Sequence, residues 1–152
     1  MANLSDYLPL QIDPANVNFT GGIINGVVIG GSNPEAATFT TVVADSAVAG
    51  TETTSISGST ALDFTAQQNF VLTLTGNVTL ANPTTETVGQ SGFIVFTQDG
   101  TGGRTVSLGT EYETAGGAGL SLSTAASTTD IVPYVVAASG RILLGAPQLA
   151  FA

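Results

Sequence analysis

Glu111 and Glu113 stand two apart around Tyr112, so on an extended strand both carboxylates point to one face, as a sugar-cleaving acid/base pair might. Carboxylates this close along one strand rarely straddle a glycosidic bond, and a solvated edge or loop before Gly116 and Gly117 explains them more simply. DGTGGR at 99–104 is glycine-rich but lacks the Lys-Ser/Thr of a phosphate loop and falls between strands rather than before a helix. It reads as a hairpin turn with Asp99 and Arg104 placed to pair across it. No D-x-D-x-D-G calcium loop occurs, and Asp45, Asp63 and Asp130 read as solvated turn residues.

What is missing narrows the chemistry further. The 152 residues include no histidine and no cysteine, which removes the imidazole base, the thiolate nucleophile and the usual ligands of zinc, haem and iron–sulfur clusters. The expectation is a protein with no catalytic residues, no cofactor and no metal site. Arg104 and Arg141 are the only cations, set against eleven carboxylates for a net charge of -9. Two arginines cannot neutralise several phosphates and release their counterions, so neither nucleic acid nor an anionic membrane surface is an expected partner.

The elements that must position these residues are strands. Hydrophobic residues make up 43% and charged residues only 9%, against about 25% charged in an average soluble domain. Val, Ile, Leu, Phe and Thr recur in short bursts between glycine-rich turns, and no segment of helical length has a 3.6-residue period. The fold class expected is all-β, a sandwich or jelly roll. Residues 1–20 read as an extended N-terminal arm and residues 21–45 as a β-strand module with bursts at Ile23–Ile29 and Phe39–Val43. The small, polar stretch 46–60 reads as a linker and 61–152 as the C-terminal β-domain. Within that domain Phe70–Leu74 and Val78–Leu80 around Gly76-Asn77 spell a hairpin. Further strands are expected at Phe93–Phe96, at Val106 and Leu108, at Leu120 and Leu122, and at Ile131–Val136 and Ile142–Leu144 joined through Ser139-Gly140. The opening MANLSDYLPL has neither the basic nor the apolar region of a signal peptide, and no apolar run approaches membrane-helix length, so a cytoplasmic origin is expected.

Phe93–Phe96, Ile131–Val136 and Ile142–Leu144 are apolar on both faces, whereas a two-layer antiparallel domain leaves one face polar. Either these strands occupy the centre of a compact barrel, or neighbouring subunits around a symmetry axis cover the second face. The scarcity of charge favours subunits, because obligate interfaces are apolar and depleted in charge. Phe93, Phe96, Ile131, Val135 and Leu143 are the interface residues this predicts.

GGIINGVVIGGSNPEAATFTTV at 21–42 resembles a module of tailed-bacteriophage virion proteins, G-x-I-(N/D)-G-x-x-I-G-x-x-x-P-x-x-x-x-F-T-x-L, through Gly22, Ile24, Gly26, Ile29, Gly30, Pro34, Phe39 and Thr40. It departs at Val42, where the pattern has Leu. ALDFTAQQNFVLTLTGNVTLANPT and GQSGFIVFTQDGTGGRTVSL are similar to the terminal β-domains of phage particle proteins. The resemblance implies a homotrimeric, non-enzymatic virion component made in a host cytoplasm. Its partners would be copies of itself and the major capsid protein or another virion protein, with Ile23, Ile24, Val27, Ile29, Phe39 and Val43 as capsid-attachment residues. Among virion roles, capsid decoration or cementing is the leading expectation. Fifty N-terminal residues reach at most about 165–180 Å, too short for a long shaft, and the chain has no Trp to grip a carbohydrate receptor. The alternative is a short tail fibre or receptor-binding tip, and a carbohydrate-cleaving virion enzyme comes third.

Overall fold

The computed structural model describes residue 41 and residues 43–151. The expected arm at 1–20 and all but the end of the module at 21–45 lie outside the described residues. Ala44–Ala152 forms a compact unit. Its strands are β1 (Thr51–Ala61), β2 (Asn69–Ala81), β3 (Ser91–Gln98), β4 (Val106–Leu108), β5 (Tyr112–Thr114), β6 (Thr129–Ala138), β7 (Arg141–Leu144) and β8 (Gln148–Phe151).

One curled, mixed sheet contains all of them, in the order β1-β2-β3-β6-β7-β5, with β4 also on β2 and β8 also on β6. The first half runs parallel: β1 lies along the whole of β2, while β3 takes the first half of β2's other edge and β4 the second half. The chain therefore makes three similar passes, and the register breaks at one place, where Ser57 stands opposite Thr75-Gly76-Asn77. In the third pass the loop 99–105 occupies that same corner. From β3 onward the partners are antiparallel, β3 with β6 and β6 with both β7 and β8, while β5 lies parallel to β7.

The curl follows from chain length. Thr51 pairs with Asn69 and Ala61 with Ala81, so the connection 62–68 must bring the chain back along the whole of β1. A straight strand of 11 residues spans about 33 Å, and the steps from Ala61 to Asn69 cover about 30 Å at full stretch. The connection is not even stretched, because Gln67 N donates to Asp63 O at 3.2 Å. Only strands bent at the Gly58 and Gly76 corner allow so short a return. Gly58 meets the bend with φ of 65°, a left-handed conformation that favours glycine.

Three asparagines pin the third pass to the second. Asn69, Asn77 and Asn82 stand at the start, corner and end of β2, and their Oδ1 atoms accept the backbone N–H of Phe93, Thr105 and Glu111 at 3.0, 3.1 and 3.1 Å. The approach requires glycine opposite. A Cβ on Gly92 would collide with Gln68 O, and one on Gly109 with Asn82 Oδ1.

The core fills the inside of the curl. Phe70, Leu72, Leu74, Val78 and Leu80 of β2 line it, joined by Ile94 and Phe96 of β3, Val132, Tyr134 and Val136 of β6, and Ile142 and Leu144 of β7. Phe64, from the connection 62–68, plugs one end with edge-to-face contacts to Phe70 and Tyr134 at 5.1 and 5.0 Å. Tyr134 Oη closes that end by donating to Gln68 O at 2.6 Å.

The all-β expectation matches this unit; in place of the expected sandwich or jelly roll it has a curled mixed sheet, an open half-barrel with β1 and β5 at its edges. The hairpin expected at Gly76-Asn77 is one continuous strand, because that dipeptide makes a corner opposite β1 rather than a reversal. Loop 99–104 is likewise a corner and no hairpin, since β3 and β4 both run parallel to β2. Most of the stretch expected as linker, 46–60, is β1 itself. Leu120 and Leu122 lie in no strand and pack against the core from an irregular segment. The β6–β7 hairpin through Ser139-Gly140 forms as expected.

Candidate interaction surface

Strand alternation divides β3, β6 and β7 into two apolar faces. Ile94, Phe96, Val132, Tyr134, Val136, Ile142 and Leu144 point into the curl, which leaves Phe93, Val95, Ile131, Pro133, Val135 and Leu143 on the outside. Register makes the outer set contiguous: Phe93 is opposite Pro133, Val95 opposite Ile131, and Val135 opposite Leu143. Phe93 is 49% and Val135 38% exposed, and the others are half-buried. Two shallow depressions flank Pro133. One of about 320 Å³ is lined by Pro133, Val135, Leu143 and Gly145, and one of about 450 Å³ by Gln68, Asn69, Ser91, Phe93 and Tyr134.

Below this patch the outer face becomes a row of hydroxyls. Ser55, Thr73, Thr97 and Thr129 are register partners across β1, β2, β3 and β6, and Thr97 and Thr129 share a hydrogen bond of 3.0 Å. Ionised side chains reach this surface at its β7 margin, where Arg141 shares the outward face with Leu143 and Glu113 stands opposite Leu143. β8 extends the same edge and carries Leu149 and Phe151, 53% and 47% exposed.

Both arginines pair with carboxylates of the same chain. Asp99 and Arg104 pair at 2.8 Å across the third corner, as the sequence predicts, and Asp99 also accepts from the N–H of Thr101 and Gly102. The Arg104 guanidinium holds the Asp99 carboxyl below its ordinary value. Glu113 is gripped by Arg141 through two bonds of 2.9 and 3.0 Å, which likewise lowers its proton affinity. Glu113 thus forms an ion pair between β5 and β7. Asp63 is the exposed turn residue expected, whereas Asp130 is not. Asp63 caps the turn 63–66 by accepting from Thr65 and Ala66. Asp130 is buried, with Ser123 N at 2.6 Å and Ala150 N at 2.8 Å donating to its two oxygens. Among the described residues no group of three or more His, Cys, Asp or Glu could hold a metal ion, and no helix is long and apolar enough to cross a membrane.

Of the expected interface residues, Phe93, Ile131, Val135 and Leu143 are brought together on the outer face. Phe96 is not: it is 2% exposed and belongs to the core. A spacing of three along a strand puts Phe93 and Phe96 on opposite faces, so alternation alone could have separated them. Val95 and Pro133 were missed although the same rule identifies them. Of the expected attachment residues, Val43 is exposed and lies in no strand, while Ile23, Ile24, Val27, Ile29 and Phe39 lie outside the described residues.

Fold and surface together define an all-β module that presents a contiguous apolar patch on its outer sheet face. Comparison with protein families makes this specific: the chain belongs to the family described as "Putative phage tail fibre C-terminal domain", whose pattern matches residues 53–141, from β1 to the start of β7. The protein is therefore a bacteriophage virion component. The match supports a tail fibre more than the capsid decoration expected from the sequence. No curated protein and no solved structure matches the chain.

Proposed function

We propose that this chain is a non-enzymatic structural protein forming the distal, receptor-facing part of a tail fibre, and that it works as a homotrimer whose subunits meet through the outer face of β3, β6 and β7. The observation that carries the fibre reading is the family match across 53–141. The subunit contact is supported by the contiguous apolar patch around Pro133, which would otherwise meet water at about 25 cal/mol per Å². An N-terminal arm of about fifty residues is too short for a long shaft, and a short fibre or a tip needs none.

Particles depleted of the protein decide the placement. A fibre tip predicts particles that keep their full heat resistance and fail to adsorb to cells. Particles that adsorb normally but release DNA at lower temperature would return the protein to the shell, where binding free energy adds to shell stability.

A further inference from the structure

β8 is seated unlike any other strand. It lies beyond the span that the fibre family matches, all four of its residues are exposed, and its register with β6 is broken between Thr129 and Ile131. Its seat is nevertheless specific. The buried carboxylate of Asp130 accepts the N–H of Ala150 at 2.8 Å, and Ala150 takes a left-handed φ of 61° to deliver it. A strand that served only its own sheet would turn polar side chains to water, yet Leu149 and Phe151 stand about half exposed. The link to β7 is the short segment 145–147; Gly145 N–H is still tied to Pro133 O at 2.8 Å, so a change of direction toward β8 falls to exposed Ala146 and to Pro147.

We propose that β8 is an exchanged strand: in the assembled protein the β8 of one copy occupies the β6 edge of the next and is latched by that copy's Asp130. The occupant is a second copy of this chain, because the β6 edge at Thr129–Ile131 with its Asp130 carboxylate already fits this segment, and a neighbouring copy supplies an identical one at no cost in new contacts. Exchange also moves Leu149 and Phe151 from the periphery of one subunit into the junction of two, beside the outer apolar face. The inference rests on the homo-oligomeric reading above and adds to it a reason for the buried carboxylate.

The chain has no cysteine, so a disulfide trap has no background. Thr129 and Phe151 are register partners, as are Ile131 and Gln148. The full-length chain carrying Thr129→Cys with Phe151→Cys, and separately Ile131→Cys with Gln148→Cys, is oxidised, weighed in its native state and then run on a non-reducing denaturing gel. Exchange predicts covalent multimers from either pair. Chains that run only at single-chain mass, while the native mass is that of an oligomer, overturn the exchange and leave the oligomer intact. A native mass of one chain instead removes the oligomer reading itself. Ala150→Pro provides an independent readout, since it deletes the N–H that Asp130 accepts and excludes the positive φ without touching the core. Exchange predicts at least a tenfold higher concentration for assembly, and unchanged assembly overturns the proposal.

Discussion

Gln98 and Tyr112 are both buried polar residues facing the core, and they differ in what their polar atoms find. Gln98 Nε2 donates to Arg104 O and Ser123 O at 2.9 Å, and its Oε1 accepts Arg104 N at 2.9 Å, so one amide holds the third corner and the segment before β6. Gln98→Ala strands three part-buried backbone groups and should cost about 1–3 kcal/mol, read as a lower urea midpoint with unchanged slope. The Tyr112 hydroxyl is buried with no hydrogen-bond partner among the described residues. Tyr112→Phe should therefore leave stability unchanged or raise it by up to about 1 kcal/mol. The acid–base behaviour follows from the same neighbourhoods. Asp63 is held low by the Thr65 hydroxyl and neighbouring backbone N–H groups, Asp99 by Arg104 and Glu113 by Arg141. A carboxyl depressed in the folded state stabilises above its ordinary value, 3.8 for Asp and 4.5 for Glu, and that stability is lost as pH falls through the lower folded value. Burial pushes the phenols of Tyr112 and Tyr134 above 10.0, so their contribution is complete below that value and lost above it. With no histidine to titrate between, the melting temperature should be flat from about pH 5 to 9 and fall on both sides. A step near pH 6.5 would contradict this account.

At the scale of elements, stability is concentrated where the passes are clamped rather than in strand length. Phe64 lies in no strand, yet it is 1% exposed and joins Phe70, Tyr112 and Tyr134 in the aromatic plug. Phe64→Ala should destabilise by about 3–5 kcal/mol, as much as a strand core residue, in thermal or urea unfolding. The strands themselves were largely legible, because alternation in 70–80, 93–96, 131–136 and 142–144 is a local property of side chains. Their partners were not. A glycine-asparagine pair between alternating segments reads as a hairpin turn, and parallel neighbours ordinarily need a crossover of a dozen or more residues. The return at 62–68 is shorter than that and works only because the strands bend. Thr51–Ala61 escaped notice for a related reason: its serines, threonines and glycine resemble linker composition, and it becomes a strand through the backbone ladder it shares with β2. Leu120 and Leu122 alternate like a strand but find core contacts without strand partners. Of the candidate surface, the two-faced character of β3, β6 and β7 was visible in composition, whereas the anchoring roles of Gln98 and Asp130 depend on distant loops that no local pattern announces.

For the whole molecule, the proposed homotrimer raises the question of how chains of net charge -9 would associate. Like-charged subunits repel, and about 8–10 Å of screening at physiological salt removes only part of that repulsion. The distribution of charge answers it. Both arginines are engaged with carboxylates of their own chain, at Asp99 and Glu113, so they are not spare partners for a neighbour's acids. The face around Phe93, Pro133 and Val135 is apolar, and the charges that border it at Leu143, those of Arg141 and Glu113, are already paired with each other, so contact through it chiefly removes apolar surface from water. Salt should then act in one direction. Raising sodium chloride from about 0.05 M to 1 M shortens the screening length from above 10 Å to about 3 Å, which weakens repulsion between subunits and leaves apolar contact intact. Sedimentation of the full-length chain at low micromolar concentration should show equal or larger oligomer fractions at high salt. Phe93→Ser with Val135→Ser should shift the chain to single-subunit mass at both salt concentrations while the melting temperature changes little, since neither side chain belongs to the core. Dissociation of the unsubstituted protein by salt would mean that charged pairs hold the subunits together, and the interface would then have to be sought away from β3, β6 and β7.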